Sequence, residues 1–276
     1  MKKRYIYLYL IGWWLFCVAC TGNFRDYNTD LSGITNEDLN IDDNGYGIRL
    51  GIIQQGIYFN YDYGKGKNWP FQLIQNLNAD MFSGYMHDAK PLNGGSNNSD
   101  YNMQDGWNSA MWTHVYSYIF PQIYQSENAT RDTHPALFGI TKILKVEVMH
   151  RVTDYYGPII YRHFANAEKH YQPDTQKEVY YEFFNELDSA VVALIGYIEE
   201  KPESNGFARF DILLDGKYSS WVKFANSLRL RLAMRLASIA PDKARLEIEK
   251  IKENDYGFFE RGSEKVAVST KSGYIN

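Results

Sequence analysis

Cysteine is almost absent from this chain, and the positions of the few present are informative. The only cysteines among its 276 residues, Cys17 and Cys20, lie within the first twenty positions. The sequence after Cys20 therefore contains no thiol and no disulfide, so a folded domain must be stabilised by its own core. Hydrophobic residues make up 45% of the chain and charged residues 22%, which supplies such a core and excludes disorder of the whole chain.

Long apolar runs and an excess of positive charge are also missing from the body of the chain. No stretch after residue 20 approaches the ~18 apolar residues of a membrane-spanning helix. The formal net charge is −4, and it becomes more negative if the basic residues at the start are removed. This charge argues against a general affinity for nucleic acid, and we expect no nucleic-acid partner.

The motifs of the common enzyme classes are missing as well. There is no GxxxxGK[ST], GxGxxG, GxSxG or HExxH pattern, and no two of the six histidines stand four residues apart. A triad of His150, Asp154 and Ser219 can be imagined, but no nucleophile motif supports it. We therefore predict a protein that is not an enzyme and that uses no metal and no cofactor. A glycan-active enzyme stays open, since a catalytic carboxylate pair is defined by a separation that sequence does not reveal.

The first twenty residues have the features of an export signal. A basic start over residues 2–4 precedes an uncharged run over 5–19, which is too short for a comfortable membrane span. The run ends in Cys17-Val18-Ala19-Cys20, and small residues before a cysteine resemble the lipobox of bacterial lipoproteins. We predict a signal peptide over 1–19 and lipidation at Cys20. An ordinary cleaved signal or an N-terminal anchor helix is the alternative.

The remaining chain divides into a short polar segment and a helical domain. Residues 20–45 are rich in Asn, Asp, Thr and Gly, which is typical of a tether, and here of a lipidated one. A helical domain is predicted over 46–276. Its first clear helix starts at Pro135 and stops at Gly157, and a second opens with a capping box formed by Thr175 and Glu178.

A third helix carries an unusual excess of basic residues. We expect it to be capped by Ser219 or Ser220 and to end before Pro241. No acidic residue lies between Asp215 and Asp242, although five basic residues do. An anion-binding face is one interpretation. We favour a structural one, in which these cations pair with acids of the preceding helix, for which the available residues are Glu182, Glu186 and Asp188.

Aromatic residues, by contrast, are abundant at 16%. Several surround a polar loop over residues 83–107, and loops of this length are often functional or disordered. Aromatic faces can stack on the C–H faces of sugars, and amide groups can pair with sugar hydroxyls. Trp112 is assigned to the core because Tyr116 and Ile119 follow it at helical spacing. The candidate ligand-binding residues are Trp69, Tyr85, Asn98, Tyr101 and Trp107.

Three segments in order carry a family resemblance. The helix from Ala136 to Val152 leads into Asp154-Tyr155-Tyr156-Gly157-Pro158, and the helix from Gln176 to Leu194 follows it. The most specific segment runs from Trp221 to Arg235 as WVKFANSLRLRLAMR. Together with the lipobox, these segments resemble the SusD/RagB family of Bacteroidetes nutrient-binding outer-membrane lipoproteins, in its SusD-like branch.

The resemblance implies a fold and a function. It implies an all-α fold of tetratricopeptide-like helix pairs with long loop insertions. It also implies a lipoprotein of the outer membrane, exposed at the cell surface, that binds oligosaccharide or peptide and delivers it to a SusC-like TonB-dependent transporter. Members of the family run to roughly twice this length, so we expect this chain to correspond to the N-terminal half of a member.

Two other outcomes stay open at this stage. The chain could be an exported helical enzyme that acts on glycans, in which case a polysaccharide would yield products. It could also be a truncated and non-functional remnant, because half of a helical scaffold exposes faces that other helices would cover.

Overall fold

A computed structural model of the chain describes residues 44–59, 69–90, 92–95, 97–165, 172–204, 207–262 and 264–267. The predicted signal peptide (1–19), the lipidation site Cys20 and all but the last two residues of the predicted tether (20–45) lie outside the described residues. The first helix among the described residues begins at Asn44.

The described part of the chain is helical. It contains no β-strand, only an isolated antiparallel bridge between Ile159 and Asp174. In that part of the chain, no helix is both long enough and apolar enough to cross a membrane. The helices, in chain order, are α1 (Asn44–Gly56), α2 (Trp69–Phe71, Gln72–Ala79 and Asp80–Phe82), α3 (Asp105–Asn108), α4 (Ala110–His114, Val115–Ile119 and Phe120–Thr130), α5 (Pro135–Tyr156), α6 (Gln176–Glu200), α7 (Tyr218–Leu236) and α8 (Pro241–Lys250). The middle segments of α2 and α4 are π-helical, and short 3₁₀ turns cover Leu92–Gly95 and Ile251–Glu253.

The helix α5 lies at the centre of the domain and packs against α4, α6 and α7. Fourteen of its 22 residues are buried, so its apolar surface is covered on more than one side. Gly139 is one point of close approach, because a β-carbon there would stand 3.0 Å from the carbonyl oxygen of Ala190 in α6. Only glycine allows the two helix backbones to approach this closely without adjustment.

Successive helices are antiparallel. Trp112 near the start of α4 packs edge-on against Tyr156 at the end of α5, with ring centroids 5.4 Å apart. At the opposite ends of these two helices, the hydroxyls of Ser126 and Thr141 are 2.9 Å apart. The pattern repeats between α6 and α7, where Tyr197 packs against Tyr218 at 5.0 Å. The all-α architecture of paired helices is therefore confirmed.

The predicted limits of α5 and the predicted start of α6 are confirmed. Pro135 is the first residue of α5, where the missing N–H of proline costs no hydrogen bond, and Gly157 ends the helix with a φ of +77°. The side chain of Thr175 accepts a hydrogen bond from the Glu178 backbone, and the Glu178 carboxylate accepts one from the Thr175 backbone. This reciprocal capping box was readable because all of its members are local in sequence.

The predicted start of α7 at Ser219 or Ser220 is wrong, because the helix begins earlier, at Tyr218. A buried carboxylate sets this start: Asp211 accepts hydrogen bonds from the backbone N–H of Leu213 and Leu214 at 3.0 Å, and from Trp221 Nε1 at 2.8 Å. Asp211 thereby fixes the turn before the helix, and its most distant partner, Trp221, lies ten residues further along the chain. Local serine caps did not predict this arrangement.

Three basic residues of α7, Lys223, Arg229 and Arg235, are paired with acids in the described part of the chain. Of the partners expected from the preceding helix, only Asp188 takes part there, and Glu186 instead bonds Lys145 of α5. Arg229 is buried and bonds Asp188 of α6 at 2.6 Å, and it also contacts Glu247 of α8. Arg235 bonds Asp154 at the end of α5 at 2.8 Å. The cations therefore join α7 to its three neighbouring helices.

A second group of charges is buried between α4, α5 and α6. Lys145 of α5 lies 2.6 Å from Glu186 of α6 and 3.4 Å from Glu127 of α4, and Lys142 contacts the same two carboxylates at 3.3 and 3.2 Å. The Tyr161 hydroxyl donates to Glu186 as well. Two cations thus face two anions, which leaves no net charge in the interior.

The cluster lowers the pKa of the Glu186 carboxyl group and raises the pKa of the Lys145 ammonium group. Burial raises the pKa of the Glu186 carboxyl, but the ammonium groups of Lys145 and Lys142 together bring it below its usual value. Burial lowers the pKa of Lys145, but Glu186 and Glu127 bring it above its usual value. Both groups are therefore held in their charged forms at neutral pH.

We expect Lys145→Ala to destabilise the fold by about 3 kcal/mol or more at pH 7, because the variant leaves a carboxylate buried without its main partner. A carboxyl with a lowered pKa stabilises the fold above its unfolded pKa of 4.5, and this contribution is lost as pH falls through the folded pKa. The deficit of the variant should therefore shrink below about pH 4.5. Urea denaturation at several pH values measures both effects.

The matched control is Lys252→Ala, which removes an exposed pair with Glu249 at 2.9 Å. Such a pair contributes at most about 1 kcal/mol. Equal losses for the two variants would contradict a special role for the buried cluster.

Candidate ligand-binding loop

The loop between α2 and α3 contains most of the predicted ligand-binding residues. It leaves α2 through a turn in which the Gly84 N–H donates to the carbonyl of Met81 at 3.1 Å and Met86 N–H donates to that of Asp80 at 3.0 Å. Gly84 has a φ of +75°, which residues with a side chain rarely adopt. The backbone thus reverses direction immediately after the helix.

A buried amide holds this loop against the helices. Asn98 is fully buried, and its Nδ2 lies 2.8 Å from the carbonyl of Leu77 and 2.9 Å from the side-chain oxygens of both Asn78 and Asn108. Its own Oδ1 accepts a hydrogen bond from the backbone N–H of Gln104 at 3.3 Å. Asn98 therefore joins α2, the loop and α3 from inside.

Two tyrosines at the end of α5 complete this network. The Tyr155 hydroxyl donates to the side-chain oxygen of Asn78, and it also lies 3.1 Å from that of Asn108. The Tyr156 hydroxyl donates to the Asn108 carbonyl at 2.5 Å and accepts a hydrogen bond from Trp112 N–H at 3.1 Å. Burial raises the pKa of both hydroxyls, so they remain donors across the physiological range.

A separate contact joins the two arms of the loop. The Ser99 hydroxyl donates to the Asp88 carboxylate and lies 2.5 Å from the side-chain oxygen of Asn97. That oxygen also accepts the Ser99 N–H at 3.0 Å. The segment around residue 88 is thus tied to the turn at residues 97–100.

The predicted aromatic residues differ in exposure. Tyr85 is 88% exposed and Tyr101 is 70% exposed, and the Tyr101 ring packs against Phe82 with centroids 5.8 Å apart. Trp107 is half-buried, and its carbonyl accepts a hydrogen bond from Asn78 at 2.9 Å. Trp69 opens α2, but its side chain lies outside what the structure describes.

The polar candidate Asn98 has a different position from that expected of a sugar-binding amide. It is buried, and its amide group is engaged by Leu77, Asn78 and Asn108. Tyr85 and Tyr101 are thus the exposed candidates on the loop, whereas Asn98 lies in the interior and holds the loop in place.

The structure adds residues that the sequence interpretation missed. Met86 and Met103 are more than half exposed on the same loop and add apolar contact area. Asn78 supports the loop from the π-helical segment of α2, a type of irregularity that often occurs at functional sites. No local signal pointed to Asn78, because an asparagine in a helix is recognisable as an anchor only when its partners are known.

The imagined catalytic triad receives no geometric support. His150 is buried, and its Nδ1 lies 3.1 Å from the carbonyl of Val146, while Asp154 bonds Tyr180 and Arg235. Burial, followed by the charge of Arg231, lowers the pKa of His150 to about 3, so its ring is neutral. Within the described residues, no group of three His, Cys, Asp or Glu side chains is arranged to hold a metal ion.

Comparison with known proteins identifies the family. A family model described as SusD-like, Susd and RagB outer membrane lipoprotein, matches residues 26–276. The chain belongs to the SusD-like family. Members are described as lipoproteins of the outer membrane, and the resemblance drawn from the three sequence segments is therefore confirmed.

Solved structures of SusD homologs support the assignment. The chain is similar to a SusD homolog from Bacteroides vulgatus, with 44% identity and a TM-score of 0.77 over 84% of this chain. It is also similar to a chitin-binding SusD homolog from Flavobacterium johnsoniae, with 37% identity and a TM-score of 0.72 over 79% of this chain. A SusD homolog from Bacteroides uniformis has 28% identity and a TM-score of 0.67 over 79% of this chain.

The match covers only part of these SusD homologs. The chain spans 47%, 46% and 44% of the three structures, respectively, so it corresponds to about half of their length. No curated protein sequence matches the chain.

We expect Asn98→Ala to loosen the loop, because it leaves several buried polar groups of α2 and α3 without their partner. The expected cost is about 1–3 kcal/mol of stability, together with faster amide hydrogen exchange over residues 83–108.

Asn102→Ala is the control for this substitution. Asn102 is exposed on the same loop and makes one side-chain hydrogen bond, to the Gly95 carbonyl at 2.7 Å. Its loss should cost less than about 1 kcal/mol, because water can replace that bond. If Asn98→Ala left exchange in the loop unchanged, Asn98 would not be its anchor.

Proposed function

We propose that this chain captures an oligosaccharide on the loop over residues 83–107 and delivers it to a SusC-like TonB-dependent transporter. The observation that carries the proposal is the pair of exposed rings, Tyr85 and Tyr101, on a loop that buried hydrogen bonds hold in place. Exposed aromatic faces offer apolar area on which a ligand ring can stack.

The fixed backbone of the loop favours binding. A flexible loop must lose conformational freedom when a ligand orders it, which reduces the affinity. Here Asn98 and Tyr155 hold the base of the loop, and Ser99 joins its two arms. The rings are therefore presented with little further ordering to be done.

The type of ligand follows from the side chains that project from the loop. Its large exposed apolar groups are Tyr85, Met86, Tyr101 and Met103, and they lie on the same loop as the exposed charges of Lys90, Asp100 and Asp105. The apolar part of this surface suits the faces of sugar rings. A relative with 37% identity is described as chitin-binding, so we propose chitin oligosaccharides, with their N-acetyl methyl groups, as the first ligands to test. A short peptide is the alternative ligand.

The location and the partner belong to the same proposal. Cleavage after residue 19 would leave Cys20 as the lipidated start of the mature chain, and multiple acyl chains would anchor it firmly in the outer membrane. Residues 20–45 would then act as the tether that lets the domain reach the transporter at the cell surface. Binding without turnover distinguishes this function from that of a glycan-active enzyme.

We expect Tyr101→Ala to weaken binding of chitin hexaose about fivefold or more. The reason is the loss of one stacking ring, since stacking on an aromatic face of this kind contributes on the order of 1 kcal/mol or more. Tyr85→Ala and Trp107→Ala should also weaken binding. Isothermal titration calorimetry with the hexaose, and with a peptide panel, measures the effect.

The control is Tyr124→Ala, which removes an exposed tyrosine from α4, outside the loop. Its affinity should equal that of the wild type. The proposal is overturned if neither glycan nor peptide binds the folded chain, or if the loop variants bind as well as the control. Release of shorter sugars from the hexaose would favour the enzyme instead.

The transporter is tested separately by co-purification from the native membrane. A lipidated, tagged chain should retain a large outer-membrane barrel protein, and a Cys20→Ala chain should lose its membrane association. Recovery of no membrane protein with the lipidated chain would argue against delivery to a transporter.

A further inference from the structure

An open cleft lies on another part of the domain, between the end of α5, the first turn of α6 and the end of α7. Its volume is about 500 Å³, which is sufficient for a ligand the size of a disaccharide or a dipeptide. The cleft is separate from the loop network: Asp154 lines the cleft, whereas the next residue, Tyr155, bonds Asn78 and Asn108.

The polar side of the cleft is formed by three groups that bond one another. Tyr180 donates to Asp154 Oδ1 at 2.5 Å, and Arg235 Nη2 lies 2.8 Å from Asp154 Oδ2. Arg235 Nε donates to the Tyr180 hydroxyl at 3.0 Å. Within the described residues, the Nη1 group of Arg235 is thus left to donate to something else, and this side chain is half exposed.

The cleft has more positive than negative charge. Asp154 is matched by Arg235, and the second cation in the lining, Lys177, makes no ion pair with any described residue. Lys177 instead lies over the ring of Tyr181, with its Nζ 5.6 Å from the ring centroid. It stands in the first turn of α6, next to the capping box of Thr175 and Glu178.

The opposite side of the cleft is apolar. Ile239 is 78% exposed at the end of α7, and Leu236, Ala240 and the Tyr181 ring continue this surface. A ligand that satisfies both sides needs one negative charge and an aliphatic or aromatic body. A neutral sugar chain would satisfy this site less well, because it would leave Lys177 without an anion.

We propose that the cleft is a second ligand site, which binds a small organic carboxylate with an apolar body. The carboxylate lies between Lys177 and Arg235, and the apolar part covers Ile239 and Tyr181. This site is independent of the oligosaccharide proposed for the loop, and either can fail without the other.

The test uses N-acetyl-L-leucine as the probe and N-acetyl-L-leucinamide as its neutral counterpart, titrated into the full chain and followed by NMR chemical-shift changes. The acid should bind and the amide should bind much more weakly. Raising the salt concentration to 1 M should weaken binding of the acid, since exposed charges are screened. Addition of chitin hexaose should leave the affinity for the acid unchanged.

Lys177→Gln should weaken binding of the acid about two- to fivefold, which is the range expected for one exposed ion pair. Lys177→Glu should abolish it. The control is Lys201→Gln, since Lys201 lies at the other end of α6 over the ring of Tyr197, 5.3 Å from the centroid, and also pairs with Glu200 at 3.8 Å. Thermal melts of each variant check that it folds.

The proposal is overturned if the acid does not bind at millimolar concentrations. Equal binding of acid and amide would also overturn it, as would equal affinities of the Lys177 and Lys201 variants. Displacement of the acid by the hexaose would place both ligands in the loop and remove the second site.

Discussion

The end of α5 holds two parts of the domain in place: the helices α6 and α7, and the aromatic loop. Asp154 pairs with Arg235 and accepts a hydrogen bond from Tyr180, which joins α5 to α6 and α7. The next two residues, Tyr155 and Tyr156, point their hydroxyls at the asparagines that hold the aromatic loop. Consecutive residues on a helix project in different directions, so one short segment can serve two neighbours at once.

The helices α4, α5 and α6 are held together by a buried cluster of charged side chains. The buried cluster of Lys142, Lys145, Glu127 and Glu186 ties three helices together, and it tolerates no missing partner, because an unmatched charge in the interior is costly. The exposed rings of the loop therefore rest on elements that cannot easily move. This relation between a fixed base and an exposed aromatic surface is what makes a binding function physically reasonable for a SusD-like chain.

Polar residues in this domain are divided between support and contact, and burial decides which role each has. The side chains of Asn98 and Asn78 are buried and hydrogen-bonded to each other, whereas those of Tyr85 and Tyr101 are exposed to solvent. A similar division applies to the basic residues of α7, since Arg229 is buried between two acids and Arg235 is half exposed in a cleft. The sequence shows the same residue type in both roles, so only the tertiary surroundings distinguish a supporting residue from an exposed one.

The sequence determined the helical architecture, the limits of α5, the capping box that starts α6 and the family, because each rests on local spacing or on a contiguous motif. The tertiary structure decided the start of α7, which a distant carboxylate sets, and the burial of Asn98. It also decided which aromatic rings are exposed. Those properties depend on contacts between residues far apart along the chain, and no local pattern records them.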